Sequence, residues 1–96
     1  MAEEKKIENS IKRYLDSIGA YYIKIHGSAF MASGTPDIVA CVNGRFVAIE
    51  VKKEKGGVVS ALQKAKINKI NDCGGVAFVA NSLQVVQDVL IREHII

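Results

Sequence analysis

The chain has 96 residues, enough for one compact domain over residues 1–96 and too few for a second. Hydrophobic residues make up 49% and proline occurs once, which excludes a disordered tail; with aromatic residues at 6% and no Trp, the expected core is built from Ile, Val, Leu and Ala. A net charge of +3 and a pI near 9.0 suit a phosphate-rich partner, and no apolar run is long enough to span a bilayer.

Residues from about Ala2 to Ile18 read as an amphipathic helix, because Ile7, Ile11, Leu15 and Ile18 recur at helical spacing. Gly19 is its expected C-cap, and the opening Met-Ala-Glu-Glu-Lys-Lys lacks the apolar core of a secretion signal. Glu8 borders the buried stripe, or serves the helix as first-turn charge or as partner of Lys12. Ala20 to Ile25 reads as a strand. His26 to Thr35 is a loop rich in Gly, Ser and Ala. There His26 is expected to hydrogen-bond within the loop, Ser28 and Ser33 suit a turn or a phosphate contact, and Phe30 and Met31 suit the core or a dimer contact.

Asn43-Gly44 between two apolar β-prone runs predicts a hairpin with a two-residue type I′ turn. Lys53-Glu54-Lys55-Gly56-Gly57 is a basic exit from it. Ser60 and Gln63 fit a capping box for a helix that ends near Cys73, with Gly74-Gly75 as its stop. Val76 to Ala80 reads as a buried strand, and Ser82 caps a last helix bearing Leu83, Val86, Val89 and Leu90. Cys41 and Cys73 form no Cys-x-x-Cys or Cys/His cluster, which argues against zinc; two buried free thiols are expected, in a reducing cytoplasm. The fold class is α/β: a small mixed sheet flanked by helices in the order α-β-β-β-α-β-α, with a crossover placing the last strand parallel to the hairpin.

Counting outward from the turn pairs Val42 with Arg45, Cys41 with Phe46, Val39 with Ala48 and Asp37 with Glu50, provided the loop carries no bulge. Both hairpin faces are largely apolar, so the hairpin is expected to be central and covered on both sides. Asp37, Glu50 and Lys52 then share one face at the end away from the turn, with directly opposite Cβ atoms about 4.5–5.5 Å apart. Adjacent acids repel, and a divalent cation between them reverses the sign of that interaction. Asp37, Glu50 and the carbonyl of Val51 offer hard oxygen ligands to Mg²⁺ or Mn²⁺, and Lys52 can orient an attacking water or offset charge on a phosphorane. The alternative is a salt bridge from Lys52 to one acid, which leaves the other unpaired. Gln63 shares a helix face with Ile67 and Ile70 and points inward, with the capping box as its bland and compatible role. Lys24, Lys53 and Lys55, with Lys64, Lys66 and Lys69 on the helix, are candidate phosphate contacts or a solvated face.

Pro36-Asp37 followed by Glu50-Val51-Lys52 resembles the PD-(D/E)xK nuclease signature. Extended by Glu8, Ser33-Gly34-Thr35-Pro36-Asp37, Phe46-Val47-Ala48-Ile49-Glu50-Val51-Lys52, Ser60-Ala61-Leu62-Gln63 and the Gly74-Gly75-Val76 return to a strand, the pattern is similar to the VRR-Nuc domain, a virus-type replication and repair nuclease module. The resemblance covers nearly the whole chain and implies a restriction-endonuclease-like core. It implies Asp37 and Glu50 as metal ligands, Lys52 as the catalytic lysine, Glu8 reaching the metal directly or through water, and Gln63 at the edge of the catalytic set. It further implies a DNA endonuclease using Mg²⁺ or Mn²⁺ and no organic cofactor, located in the cytoplasm of a bacterium or a phage host. The expected substrate is branched DNA, with four-way junctions cut by a homodimer and Ser33 among the DNA contacts. The alternatives are a structure-selective nickase or flap nuclease and, from another class, a non-catalytic DNA-binding or assembly subunit.

Overall fold

The computed structural model describes residues 3–27 and 33–96; the expectations for Ala2, Ser28, Phe30 and Met31 lie outside the described residues. The elements follow in the expected order: α1 (Glu3–Ser17), β1 (Tyr21–Lys24), β2 (Ile38–Val42), β3 (Arg45–Val51), α2 (Ala61–Asp72), β4 (Val76–Ala80) and α3 (Leu83–Arg92). α1 buries Ile11 and Leu15 completely. It closes on Gly19 at φ +74, where the Ala20 N–H donates to the Leu15 carbonyl at 3.0 Å and the Gly19 N–H to that of Asp16 at 3.1 Å. That is a Schellman closure, which a Cβ at position 19 would strain.

Asn43 and Gly44 have φ of 49° and 82°, both left-handed as a type I′ turn demands. The Asn43 amide also donates to the Ile95 carbonyl at 2.6 Å, tying the turn to the last residues. The hairpin has the expected register without a bulge, from Val42 opposite Arg45 to Ile38 opposite Ile49. β3 lies inside the four-stranded sheet of order β1-β2-β3-β4, antiparallel to β2 and parallel to β4. Its run Val47–Val51 is buried without interruption, the pattern of a strand covered on both faces.

α1 and α3 share one face, where Ile11, Leu15, Val86 and Leu90 meet Ile38, Val42, Val47, Ile49 and Val51. α2 packs against β4 on the other. Its position is pinned by Asn71, whose side chain accepts from the Ala77 N–H at 2.8 Å and donates to the Ala77 carbonyl at 3.0 Å. One helix is about 10 Å wide and strands lie about 4.8 Å apart, so a single helix covers roughly two of four strands.

That geometry corrects two expectations. The hairpin is not covered on both sides along its length: Ala48 and Glu50 are buried, but near the turn Phe46 is 50% exposed and Cys41 is exposed beside Tyr21 and Ile23. Neither free thiol is buried, since Cys41 lies on this open face and Cys73 caps the C-terminus of α2. Among the described residues no helix is long and apolar enough to cross a membrane.

Candidate active site

The open end of the hairpin carries the polar cluster. Asp37 precedes β2, and its carbonyl accepts from the Ile25 N–H at 2.7 Å, which extends the β1–β2 pairing by one step. Its Oδ2 accepts the Val51 N–H at 2.7 Å. This carboxylate therefore ties the ends of β2 and β3 together and presents only Oδ1 to the hollow beside it.

Glu50 is 3% exposed. Its Oε2 accepts from Gln63 Nε2 at 3.0 Å and lies 3.4 Å from Lys52 Nζ. Its Oε1 is buried and has no hydrogen-bond donor among the described residues. Burial first, and then the neighbouring Asp37 carboxylate, push the Glu50 carboxyl up to about 7 against the pull of the Lys52 ammonium. A buried acid with an orphaned oxygen beside a second acid costs stability and calls for a cation. The donor set fits Mg²⁺ or Mn²⁺: the oxygens of Asp37 and Glu50 and the carbonyl of Val51, all hard.

Gln63 performs both roles read from its sequence position. Its Oε1 accepts the Ser60 N–H at 2.9 Å while the Ser60 hydroxyl accepts the Gln63 N–H at 3.1 Å. With its oxygen so fixed, its amide nitrogen is aimed at Glu50. The 33–36 turn supports this end of α2 from below. Gly34 has φ +83, and a Cβ there would sit 2.8 Å from the Leu62 carbonyl carbon and oxygen and 3.0 Å from the Gln63 nitrogen. Gly34→Ala should therefore push the first turn of α2 off the sheet. The expected loss is about 2 kcal/mol or more, from left-handed strain plus a backbone clash, read as a lower denaturant midpoint with an unchanged slope. A midpoint equal to the parent's would show that this contact is not tight.

Glu8 is buried on α1 and ringed by ammonium groups. Lys24 Nζ lies 2.8 Å from its Oε1, and Lys5 and Lys12 lie 3.0 and 3.2 Å from its Oε2. Burial opposes its ionisation, but these three lysines outweigh burial and hold the carboxyl down at about 2. Lys24 also lies 3.6 Å from Asp37 Oδ1. Burial works against its charge, and Glu8 and Asp37 more than offset that and raise its pKa. Glu4, Lys5, Glu8, Lys24, Asp37 and Val51 line an open hollow of about 320 Å³. Among the described residues no three acidic, His or Cys side chains converge as a metal cluster, so Asp37 and Glu50 form a pair, with Glu8 set apart behind Lys24.

The structure thus gathers Asp37, Glu50, Val51, Lys52 and Gln63 at one point, with Glu8 beside them through Lys24. Lys24 is drawn into ion pairs with acids. Ser33, Lys53, Lys55 and Lys64 are exposed and Lys66 is half-buried, while His26 is exposed. Sequence reasoning missed Lys24 as the link between Glu8 and Asp37. The missing signal is the pairing of β1 with β2, Lys24 opposite Ile38, which no local pattern announces.

A carboxylate pair and a lysine stand at the end of a central hairpin in an α-β-β-β-α-β-α sheet-and-helix frame, and fold and family together point to a nuclease of the restriction-endonuclease-like class. The chain belongs to the archaeal Holliday junction resolvase (Hjc) family, whose model matches residues 2–93. The fold is that of a solved VRR_NUC domain, at TM-score 0.79 and 23% identity over 98% of this chain and 99% of that one. A VRR_NUC domain protein aligns at TM-score 0.75 and 19% identity, over 96% and 88% of the two chains. The Holliday junction resolvase Hjc of Archaeoglobus fulgidus aligns at TM-score 0.61 and 28% identity, over 79% of this chain and 65% of that one. No curated protein sequence matches significantly.

Proposed function

We propose that this protein is a metal-dependent DNA endonuclease that cuts branched DNA, four-way junctions first, as a homodimer. The observation that carries the reading is the buried Glu50, with one oxygen orphaned, beside Asp37 and Lys52. Asp37, Glu50 and the Val51 carbonyl would hold Mg²⁺ or Mn²⁺. When bound, such a cation supplies charge that lowers the pKa of water and polarises a phosphate. The protein's own groups set up the rest. The Val51 N–H orients Asp37, Gln63 holds Glu50, and Lys52 places an ammonium where a water or the charge developing on phosphorus can meet it. Ser33, Lys53, Lys55, Lys64 and Lys66 are the candidate phosphate contacts around this centre.

A four-way junction presents two equivalent strands to cut, and a two-fold dimer presents two equivalent sites. The open face of β1–β3 supports such a dimer. Tyr21, Ile23, Val39, Cys41 and Phe46 line an apolar hollow of about 290 Å³ there, and large exposed apolar patches mark association surfaces. Labelled junction, flap and duplex DNA, each with Mg²⁺ or Mn²⁺, test the reading. The expected outcome is paired, metal-dependent nicks in the junction by a species of twice the 10.4 kDa chain mass. Phe46→Glu should shift that species to the monomer in gel filtration and uncouple the two nicks. Cutting confined to flaps or to single strands would favour the flap-nuclease or nickase alternative. Junction binding without any metal-dependent cutting would leave a DNA-binding subunit.

A further inference from the structure

Among the described residues the large exposed apolar side chains fall into three groups. Tyr21, Ile23 and Phe46 belong to the open sheet face, Ile91 and Ile96 to the end of the chain, and Val58 and Leu62, 76% and 56% exposed, to the passage from β3 into α2. That passage turns back on itself: a Cβ on Gly57 would sit 2.8 Å from the Lys53 carbonyl oxygen and 3.0 Å from Lys52 Cβ. Val58 follows directly, so its backbone starts beside Lys52. Leu62 immediately precedes Gln63, whose amide donates to Glu50 Oε2 at 3.0 Å. Both stand one residue from a group that touches the polar centre, and outside that centre. Neither serves the start of the helix: with Ser60 as N-cap, a hydrophobic staple would use positions 59 and 64, and position 64 is a lysine.

Exposed Lys53 and Lys55 precede Val58, with Glu54 between them, and exposed Lys64 follows Leu62. Their ammonium groups complement the charge of DNA phosphates. Aliphatic side chains offer DNA no hydrogen bond, so their complement is the face of a base. In continuous duplex those faces are stacked on one another. Where arms diverge, the last base pair of an arm can turn a face to solvent. We propose that Val58 and Leu62 act as an aliphatic wedge that packs on the base pair bordering a branch point, and so set a preference for branched over continuous DNA. The proposal rests on the reading of this chain as a nuclease for branched DNA, and names the residues that sense the branch. Covering such a face removes apolar surface of both partners from water, and inserted apolar side chains are a general means of holding unstacked base steps.

Binding of a four-way junction and of a continuous duplex with the same base sequence, at one salt concentration and in EDTA so that nothing is cut, tests this. Val58→Thr combined with Leu62→Gln keeps side-chain size and makes both positions polar. The double variant should lose about tenfold in junction affinity and stay within about twofold of the parent on duplex, where phosphate contacts dominate. The chain has no Trp, so Leu62→Trp adds a single reporter at an exposed position. Its fluorescence should be quenched by the junction and not by the duplex, and this arm decides the matter even where the double variant does not fold. Junction affinity within about twofold of the parent, equal losses on both DNAs, or a tryptophan signal that the two DNAs change alike would each overturn the wedge. A contact to thymine methyl groups would show as equal effects, because both DNAs carry the same thymines. A parent that prefers the junction while the variants behave in one of these ways removes only the role of Val58 and Leu62. A parent that binds junction and duplex equally removes the branched-DNA reading, and the wedge with it.

Discussion

Asp37→Asn is expected to lower junction cleavage about a thousandfold or more, several kcal/mol of lost charge stabilisation, while junction binding stays within about threefold. Asparagine suits this test because the carboxylate has a second duty. Its Oδ2 accepts the Val51 N–H and so joins the ends of β2 and β3. An asparagine oxygen can keep that hydrogen bond, whereas alanine would lose it, at a cost of about 1 kcal/mol, and would confound chemistry with folding. Single-turnover cleavage and gel shift on one junction, together with a melting curve, separate the two effects. Cleavage within tenfold of the parent would remove Asp37 from the catalytic set.

Glu50→Gln should abolish cutting to a similar degree and, unlike most site substitutions, stabilise the metal-free protein. The carboxylate is buried beside Asp37 with one oxygen lacking a donor, and its pKa is raised from 4.5 to about 7. A carboxyl whose folded pKa exceeds its unfolded pKa binds more protons when folded between those two values. Its contribution to stability is therefore present below about pH 4.5 and is lost as pH rises to about 7. Above that pH the parent carries a buried charge, which a neutral amide removes. The expected gain at pH 8, without metal, is about 1–3 kcal/mol, or an increase in Tm of roughly 5 °C or more, shrinking to nothing near pH 4.5. A variant less stable than the parent at pH 8 would show that Gln63 and Lys52 already compensate the charge.

The hairpin was legible because its information is local. Asn43 and Gly44 fix turn and register, and the register places Asp37 and Glu50 next in line at the far end of the strands. The capping box at Ser60 and Gln63 was legible for the same reason, and so was the parallel crossover, since few chain paths connect hairpin, helix and strand. The open face and the exposed thiols were not. Alternation shows that both hairpin faces are apolar, but coverage depends on how many helices lie over a sheet of known width. The link made by Lys24 was missed for a related reason: its partners Glu8 and Asp37 come from other elements and meet it only when α1, β1 and β2 assemble.

By itself, then, the sequence determined the order of elements, the hairpin register and the set Asp37, Glu50, Lys52 and Gln63. The element order, the register and the placing of Asp37, Glu50 and Lys52 follow from turn chemistry and strand alternation, whereas Gln63 and Glu8 joined the set through the resemblance to the VRR-Nuc pattern, with helix-face spacing in partial support. Only the tertiary structure decided how these groups are shared out. It gave one oxygen of Asp37 to a backbone N–H, left one oxygen of Glu50 without a donor, and set Lys24 between Glu8 and Asp37. Hydrogen bonds and ion pairs between separate elements depend on distances that no spacing along a single segment encodes.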